Sequence, residues 1–197
     1  MHKNTTIILI IFILLLLCSE NIHARRIRFF TSENTIYIDD DPPEEDSEDA
    51  IGLIETVFGD LLPHEVYQEI CDDRYYPLIA YDQESGNIAG ALFFVADESG
   101  YNSDMIEGVQ IAEEKMELIK NVQYVDIWIA INPSYRGRGI AKKLYAMLGE
   151  ILNQEYGINK FLDLAVTDAV GFREKFSPIV VGEDGQRYLT LNTIPQK

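Results

Sequence analysis

The feature that most constrains the fold is a buried strand that runs into a glycine-containing turn and then into an amphipathic helix. Residues 127–143 read Ile-Trp-Ile-Ala-Ile-Asn-Pro-Ser-Tyr-Arg-Gly-Arg-Gly-Ile-Ala-Lys-Lys. The nearly continuous apolar run before Asn132 predicts a strand covered on both faces. The helix predicted over Ile140–Leu152 carries its apolar residues on one stripe. This pairing of a buried strand with a packed helix is typical of α/β domains.

The remaining segments complete one domain, because 197 residues with 47% hydrophobic content supply one core but are too few for two ordinary domains. Hydrophobic periodicity predicts further helices and strands, in the order β-α-α-β-β-α-β-α-β-α-β-β. The other predicted helices are Ala50–Phe58, Pro63–Cys71, Asp104–Lys120 and Asp168–Phe176. The predicted strands are Arg25–Phe30 with a continuation at Thr35–Ile38, Pro77–Tyr81, Ile88–Ala96, Tyr124–Ile131, Phe161–Val166, Ile179–Val181 and Arg187–Leu191.

Residues 1–24 are predicted to be a secretory signal peptide. A weakly basic start precedes an unbroken apolar run from Ile7 to Leu17, and Ile22-His-Ala24 offers a small residue for cleavage. The run is shorter than the roughly 20 apolar residues that a membrane-spanning helix needs. An uncleaved signal-anchor is the alternative. We therefore expect a domain over residues 25–197 that is secreted or lies in the secretory lumen, without a stable membrane span after cleavage.

The charge of the chain limits its partners. With 33 acidic against 16 basic residues, the net charge is −17, so phosphate backbones should repel the protein and nucleic-acid binding is not expected. Eight acids lie within the eleven residues from Asp39 to Asp49. They are interpreted either as a solvated loop that leads into a helix start or as an electrostatic funnel for a cationic substrate.

The turn before the predicted helix Ile140–Leu152 has the chemistry of an anion site. Helix starts leave backbone N–H groups without internal partners, and these amides and the helix dipole attract anions. Gly137 and Gly139 remove the Cβ atoms that would hold a phosphate away. Arg136, Arg138 and Lys142 form a basic island in an acidic chain. The pattern is neither a dinucleotide fingerprint nor a Walker loop, because the third glycine and the Gly-Lys-Ser/Thr are missing.

At these residues the chain resembles the GNAT acetyltransferase superfamily. The resemblance rests on the Arg136–Ala141 turn after Pro133-Ser-Tyr135, on the hairpin that contains Gly86-Asn-Ile-Ala-Gly90, and on Phe172-Arg-Glu-Lys-Phe176. It is clear over residues 76–192 and looser over 25–75. The predicted helical insertion Asp104–Lys120 is similar to the arylalkylamine N-acetyltransferase-like branch.

The resemblance implies a fold and a cosubstrate. The implied fold is a single α/β domain with a mixed, mostly antiparallel sheet of six to seven strands, whose fourth and fifth strands splay apart, and with helices on both faces. The implied cosubstrate is acetyl-CoA, and no metal is expected. Its pyrophosphate would lie on the amides of Arg136, Gly137, Arg138, Gly139, Ile140 and Ala141, near Lys142. Its pantetheine arm would pair with Ile129, Ala130 and Ile131.

The catalytic residues are not fixed by the resemblance. Members of the family often carry a tyrosine as the general acid where this chain has Arg173, which stays protonated and cannot donate in the chemical step. The positions that often carry the base are the apolar Val125 and Ile127. Asp126 lies between them and should face the opposite side of the sheet unless a bulge reverses it. The other weak candidates are Asp60 and Glu65.

Three functions fit the sequence. The first is an N-acetyltransferase that acts on a small cationic amine, and the second is a protein or peptide N-acetyltransferase. The third is a non-catalytic, secreted acyl-CoA-binding protein, which the apolar strand positions and the missing tyrosine favour. The acidic charge favours the first.

Overall fold

The computed structural model describes residues 36–166 and 178–195. Within these ranges the helices are α1 (Glu44–Phe58), α2 (His64–Cys71), α3 (Met116–Ile119) and α4 (Ile140–Gln154). The strands are β1 (Ile36–Asp39), β2 (Tyr76–Asp82), β3 (Ile88–Asp97), β4 (Gln110–Ile111), β5 (Gln123–Ile131), β6 (Lys160–Val166), β7 (Ile179–Glu183) and β8 (Arg187–Thr193). Short 3₁₀ turns lie at Gly59–Leu61, Gly100–Asn102, Asp104–Ile106, Glu113–Lys115 and Pro133–Tyr135.

The strands form one mixed sheet in the order β1-β2-β3-β5-β6-β8-β7-β4. Every neighbouring pair is antiparallel except β5 and β6, which are parallel. These two strands pair only where Gln123 meets Phe161 and Tyr124 meets Leu162. Among the described residues, the part of β5 beyond Tyr124 has no partner on the β6 side, so a cleft opens in the middle of the sheet.

The two faces of the sheet carry separate cores. Leu92, Phe94, Val125 and Ile127 point to the face that α4 covers, where they pack with residues such as Leu144. The intervening residues point to the opposite face and pack under α1 and α2. A third cluster lies between the β6–β8 part of the sheet and the segment from Ile106 to Ile119. Alternate side chains of one strand therefore reach different sides of the cleft.

Most of the predicted elements are confirmed within a few residues, and the predicted α/β class with helices on both faces is correct. Helix α1 begins six residues earlier than predicted, inside the acidic run, where carboxylates in a first turn complement the helix dipole. The sheet has eight strands rather than six or seven because the two residues of β4 add to its edge. The predictions for Arg25–Phe30 and Asp168–Phe176 lie outside the described residues.

The predicted helix over Asp104–Lys120 is wrong. This segment forms two 3₁₀ turns, strand β4 and the short helix α3. Gly108 has a φ of 85°, which interrupts a helix, and Gln110 and Ile111 pair with β7 instead. The apolar residues that suggested a helical stripe, Ile106 and Ile119 among them, face the third cluster from an irregular backbone. Tertiary pairing has overridden the local periodicity.

No helix in the described ranges is long and apolar enough to cross a membrane.

Candidate functional site

The turn between β5 and α4 is held open by its backbone conformation. Asn132 accepts a hydrogen bond from the amide of Ser134 (3.1 Å) and starts the 3₁₀ turn Pro133–Tyr135. Gly137 and Gly139 then take φ values of 78° and 73°, in the left-handed region that favours glycine. A Cβ atom added at either glycine would meet nothing within 4 Å. The surface of the turn is therefore open on the side to which a side chain at Gly137 or Gly139 would project.

The amides of this turn are available to a ligand. In the part of the chain that the structure describes, the N–H groups of Gly137, Arg138 and Gly139 donate to no backbone acceptor. Those of Ile140 and Ala141 belong to the first turn of α4, where no internal carbonyl reaches them. Successive free backbone amides in a turn of this kind can form a concave anion site. These amides at the start of a 15-residue helix fit a pyrophosphate.

The basic side chains predicted for this site surround the turn. Arg136 is exposed and donates from Nε to the carbonyl oxygen of Ile131 at 3.4 Å, which ties the turn to the end of β5. The guanidinium of Arg138 lies 4.9 Å from the ring centroid of Tyr135. Lys142 is exposed on the first turn of α4. Three basic side chains therefore lie on or beside this turn.

Tyr135 anchors the turn to the rest of the sheet. Its ring is buried, and its hydroxyl donates to the carboxylate of Asp82 at 3.2 Å and lies 3.3 Å from the hydroxyl of Ser85. Both partners belong to the hairpin between β2 and β3. Gly90 fits closely beneath the same region, because a Cβ there would lie 2.7 Å from Ile131 and 3.1 Å from the carbonyl oxygen of Ala130.

The predicted pantetheine strand lines the cleft. Ile129 and Ile131 are half-buried on the α4 side, and Ala130 is buried on the side of α1 and α2. All three lie beyond Tyr124, in the part of β5 that β6 has left. Their outer backbone edge can accept an extended chain that carries amides, as another strand would. The anion site and this edge follow one another along β5.

Asp126 lies at the closed end of the cleft. The register between β3 and β5 is continuous from Gly90–Ile131 to Asp97–Tyr124, so no bulge reverses Asp126. It faces the side of α1 and α2, as alternation predicted, and is 6% exposed. Tyr75 donates its hydroxyl to Oδ2 at 2.5 Å, and Trp128 donates Nε1 to the same oxygen at 2.8 Å. Tyr124 donates to Oδ1 at 3.3 Å.

Burial and hydrogen bonding act on this carboxylate in opposite directions. Burial raises the pKa of Asp126 because the charged form loses its hydration. The three donors lower the pKa of Asp126, with Tyr75 contributing most, but burial has the larger effect. The pKa of Tyr75 is raised far above its usual range by its own burial and by the neighbouring carboxylate. Protons in this cluster therefore reside on the tyrosines, and Asp126 is the group most easily protonated.

A crevice of about 540 Å³ leads to this cluster from the surface. Tyr75, Tyr124 and Asp126 lie along its wall, beside residues from the end of β3 and from the α2–β2 connection. Four further carboxylates line it, against the single cation Arg74, which pairs with one of them at 3.0 Å. These carboxylates belong to Glu69, Asp97, Glu98 and Asp104. The crevice has the electrostatics that favour a cation.

The other two carboxylates predicted as catalytic candidates do not join this cluster. Asp60 is exposed in the 3₁₀ turn between α1 and α2, and Glu65 is exposed on the first turn of α2. Sequence reasoning missed Tyr75, which comes just before β2 and carries no local signal. Arg173 lies outside the described residues. Within the described ranges no group of three or more side chains of the kind that bind metals comes together.

These features match a known family. The sequence model of the Acetyltransferase (GNAT) family matches residues 44–176, about two thirds of the chain. The chain therefore belongs to the GNAT acetyltransferase family. No curated protein sequence matches the chain significantly.

Solved structures of GNAT proteins share the fold. A chain of the yellow fever mosquito Aedes aegypti, assigned as arylalkylamine N-acetyltransferase 7, is 14% identical, with a TM-score of 0.58 over 81% of this chain and 88% of its own. NAA60 of Arabidopsis thaliana, solved with acetyl-CoA, is 18% identical, with a TM-score of 0.55 over 81% and 100%. FeeM, an N-acyl amino acid synthase from uncultured soil microbes, is 10% identical, with a TM-score of 0.59 over 82% and 92%. At these identities the likeness concerns the fold.

Proposed function

We propose that this protein is an N-acetyltransferase that transfers an acetyl group from acetyl-CoA to a small cationic amine. The observation that carries the proposal is the junction of two features on β5. A turn with free amides ends the strand at one side, and the cleft left by β6 runs along the strand from that turn to Asp126. A ligand with an anionic head and an extended, amide-bearing arm fits these two adjacent surfaces, the turn and the free edge of β5.

The residues of the site fit acetyl-CoA. The open space above Gly137 and Gly139 leaves room for a pyrophosphate against the amides of the turn. Arg136, Arg138 and Lys142 neutralise its charge. The free edge of β5 from Ile129 to Ile131 orients the arm and excludes water from it. When bound, acetyl-CoA supplies an acetyl group activated as a thioester.

A cationic acceptor is supported by the charge of the chain and of the crevice beside Asp126. A net charge of −17 attracts ammonium groups over a long range, more strongly at low salt than at high salt. The crevice adds a local excess of carboxylates over its one cation. The same field raises the pKa of a bound amine and makes its deprotonation harder, so the reaction needs a proton acceptor.

The test has two stages. Thermal-shift measurements with acetyl-CoA, with inorganic phosphate as the control, should show stabilisation that rises with concentration. Turnover is then measured with a diamine, an arylalkylamine, a neutral amine and a peptide with a free amino terminus. Faster turnover of the diamine or the arylalkylamine supports the proposal, and preference for the peptide supports a protein acetyltransferase. Binding without turnover of any acceptor indicates the non-catalytic alternative, and absence of binding refutes all three.

We also propose that the protein acts in the secretory lumen or outside the cell. The support is the apolar run Ile7–Leu17 with its short polar flanks. Expression in a secreting cell followed by amino-terminal sequencing tests the proposal, and the expected mature start is Arg25. A full-length product that stays membrane-bound indicates the signal-anchor instead.

A further inference from the structure

We infer that Tyr75 and Asp126 form a proton relay, in which Tyr75 takes the proton of the acceptor amine and passes its own proton to Asp126. This inference rests on the proposed function and names the proton acceptor that it requires. Three observations carry it. The two groups share the shortest side-chain contact of this cluster, both lie on the wall of the acidic crevice, and Asp126 stands where the cleft closes.

The position of Asp126 along β5 matches the reach of the implied cosubstrate. From Ile131, next to the anion site, to Asp126 is five residues, or about 16 Å at roughly 3.3 Å per residue. An extended arm that starts at the turn would thus bring its far end near Asp126. Helix α4 covers one face of the strand there, so an acceptor reaches this point from the face of α1 and α2, which is the face of Tyr75 and Asp126.

The hydrogen bonds decide which group contacts the amine. Both oxygens of Asp126 already accept hydrogen bonds, and Tyr75 and Asp126 are both almost fully buried, with 4% and 6% of their surface exposed where they line the crevice. The oxygen of Tyr75 donates to Asp126 and also meets the indole N–H of Trp128, and it keeps one lone pair that can accept a proton. Tyr75 is therefore the catalytic residue. Asp126 acts through Tyr75, and Trp128 and Tyr124 hold the carboxylate in position.

The step balances in atoms and charge. The ammonium proton of the acceptor passes to Tyr75 Oη as the phenolic proton passes to Asp126 Oδ2, and the neutral amine remains. Its lone pair forms the N–C bond at the thioester carbonyl, and the C–S bond breaks with its electron pair on sulfur. The surplus proton of the attacking nitrogen goes to the thiolate to give a thiol, and Asp126 returns its proton to solvent. The buried carboxylate is neutralised in the first step, which burial favours.

Several other titratable groups surround the relay. Tyr75 and Tyr124 contact Asp126 directly, and the α2 side contributes Glu69 and Arg74. Strand β3 and the turn after it contribute Asp97, Glu98 and Asp104, and β6 contributes Asp163 near Tyr124. The carboxylates among them favour protonation of Asp126, as burial does.

The chain offers a matched pair of variants. Tyr75→Phe and Tyr81→Phe each remove one buried hydroxyl that donates to a carboxylate, Asp126 and Asp46 respectively, but only Tyr75 belongs to the relay. With 1,4-diaminobutane as the acceptor, Tyr75→Phe should lower kcat at least about 100-fold, because general base catalysis contributes about 10² to 10⁴. Its KM for acetyl-CoA should stay unchanged. Tyr81→Phe should stay within about threefold of the wild type. Thermal melting of both variants checks that they are folded.

A spectroscopic readout is independent of turnover. Trp128 is the single tryptophan of the chain and donates to Asp126, so its fluorescence reports the protonation of that carboxylate. In the free protein the fluorescence should titrate with a midpoint above the ordinary pKa of about 3.9. Asp126→Asn should abolish the transition. Tyr75→Phe should raise the midpoint more than Tyr124→Phe does, because Tyr75 is the stronger donor to the carboxylate.

The outcomes separate the relay from the proposed function. Normal wild-type turnover with equal losses of kcat in Tyr75→Phe and Tyr81→Phe overturns the relay alone. A fluorescence transition that survives in Asp126→Asn also overturns it. Normal binding of acetyl-CoA without wild-type turnover of any amine overturns the proposed function, and the relay with it.

Discussion

Gly139→Asp gives the sharpest test of the anion site. Gly139 precedes the first residue of α4, with a φ of 73°, and the space beyond its absent Cβ is open. A Cβ atom there meets no atom within 4 Å beyond its chain neighbours, so the main cost to folding is the left-handed backbone conformation. That cost is about 1 kcal/mol for a non-glycine residue. In a domain of this size the expected loss is about 2–4 °C in Tm.

The effect on binding should be much larger. A carboxylate about 5 Å from a phosphate charge, at an effective dielectric constant of about 20, costs roughly 3 kcal/mol. That energy corresponds to a Kd for CoA raised about 100-fold or more. Because salt screens the repulsion only in part at this distance, the loss should persist at about 0.15 M salt.

Two control variants separate the effect of the added charge on the Kd from the effect of the strained backbone conformation. Gly139→Asn keeps the shape and tolerates the left-handed conformation without the charge, so its Kd should lie between those of Gly139→Asp and the wild type. Gly157, beyond the other end of α4, has a φ of 66° and equally open space, so Gly157→Asp carries the same backbone cost and charge away from the turn. Isothermal calorimetry and thermal melting of all four proteins test the argument. Wild-type affinity in a folded Gly139→Asp protein would refute the assignment of this turn.

Three further outcomes are expected. The raised pKa of Asp126 makes the folded protein hold a proton that the unfolded chain has lost, so the free energy of unfolding should fall as pH rises above about 4. In urea titrations Asp126→Asn should lack this part of the pH dependence, and an unchanged slope contradicts the assignment. Neutralising the four exposed acids of α1 should raise the KM for a diamine at low salt, with the affinity for acetyl-CoA unchanged. If the KM and its salt dependence stay the same, these acids form only a solvated surface. These acids are Glu44, Glu45, Glu48 and Asp49. Gly90→Ala should destabilise the fold by about 1–3 kcal/mol in the same titrations, because its Cβ would crowd Ile131 and the backbone of Ala130; wild-type stability would show that the site relaxes freely.

The sequence left two roles open for the acidic run Asp39–Asp49, a solvated loop before a helix or an electrostatic funnel. Residues Glu44–Asp49 form the first turns of α1 rather than a loop. Asp46 accepts a hydrogen bond from Tyr81 at 2.8 Å, so this acid is structural and stays outside the proposed neutralisation. Asp46 and Asp49 line a crevice with Asn132 and Tyr135, near the glycine turn and apart from the crevice of Asp126.

The sequence by itself determined the elements whose signals are local. The strand, turn and helix from Gln123 to Gln154 follow from apolar runs, glycines that need positive φ, and helical spacing, and each of these depends on near neighbours in the chain. The residues predicted to bind an anion come from the same stretch, and the structure places them on one turn. The helix predicted over Asp104–Lys120 is wrong because pairing with β7, a distant strand, determines the conformation of this segment.

Only the tertiary structure decided the cluster around Asp126. Tyr75 and Asp126 are 51 residues apart, and they meet because β2, β3 and β5 pair in one register and α2 ends beside β2. The alternation of side chains along a strand predicted from the sequence the face of the sheet on which Asp126 lies. No periodicity predicts which distant hydroxyl group reaches its carboxylate. Strand register sets that partner, and a shift by one residue would turn Asp126 to the α4 side. The conformation of the glycine turn is therefore a local property of this chain, and the contact of Tyr75 with Asp126 is a property of its fold.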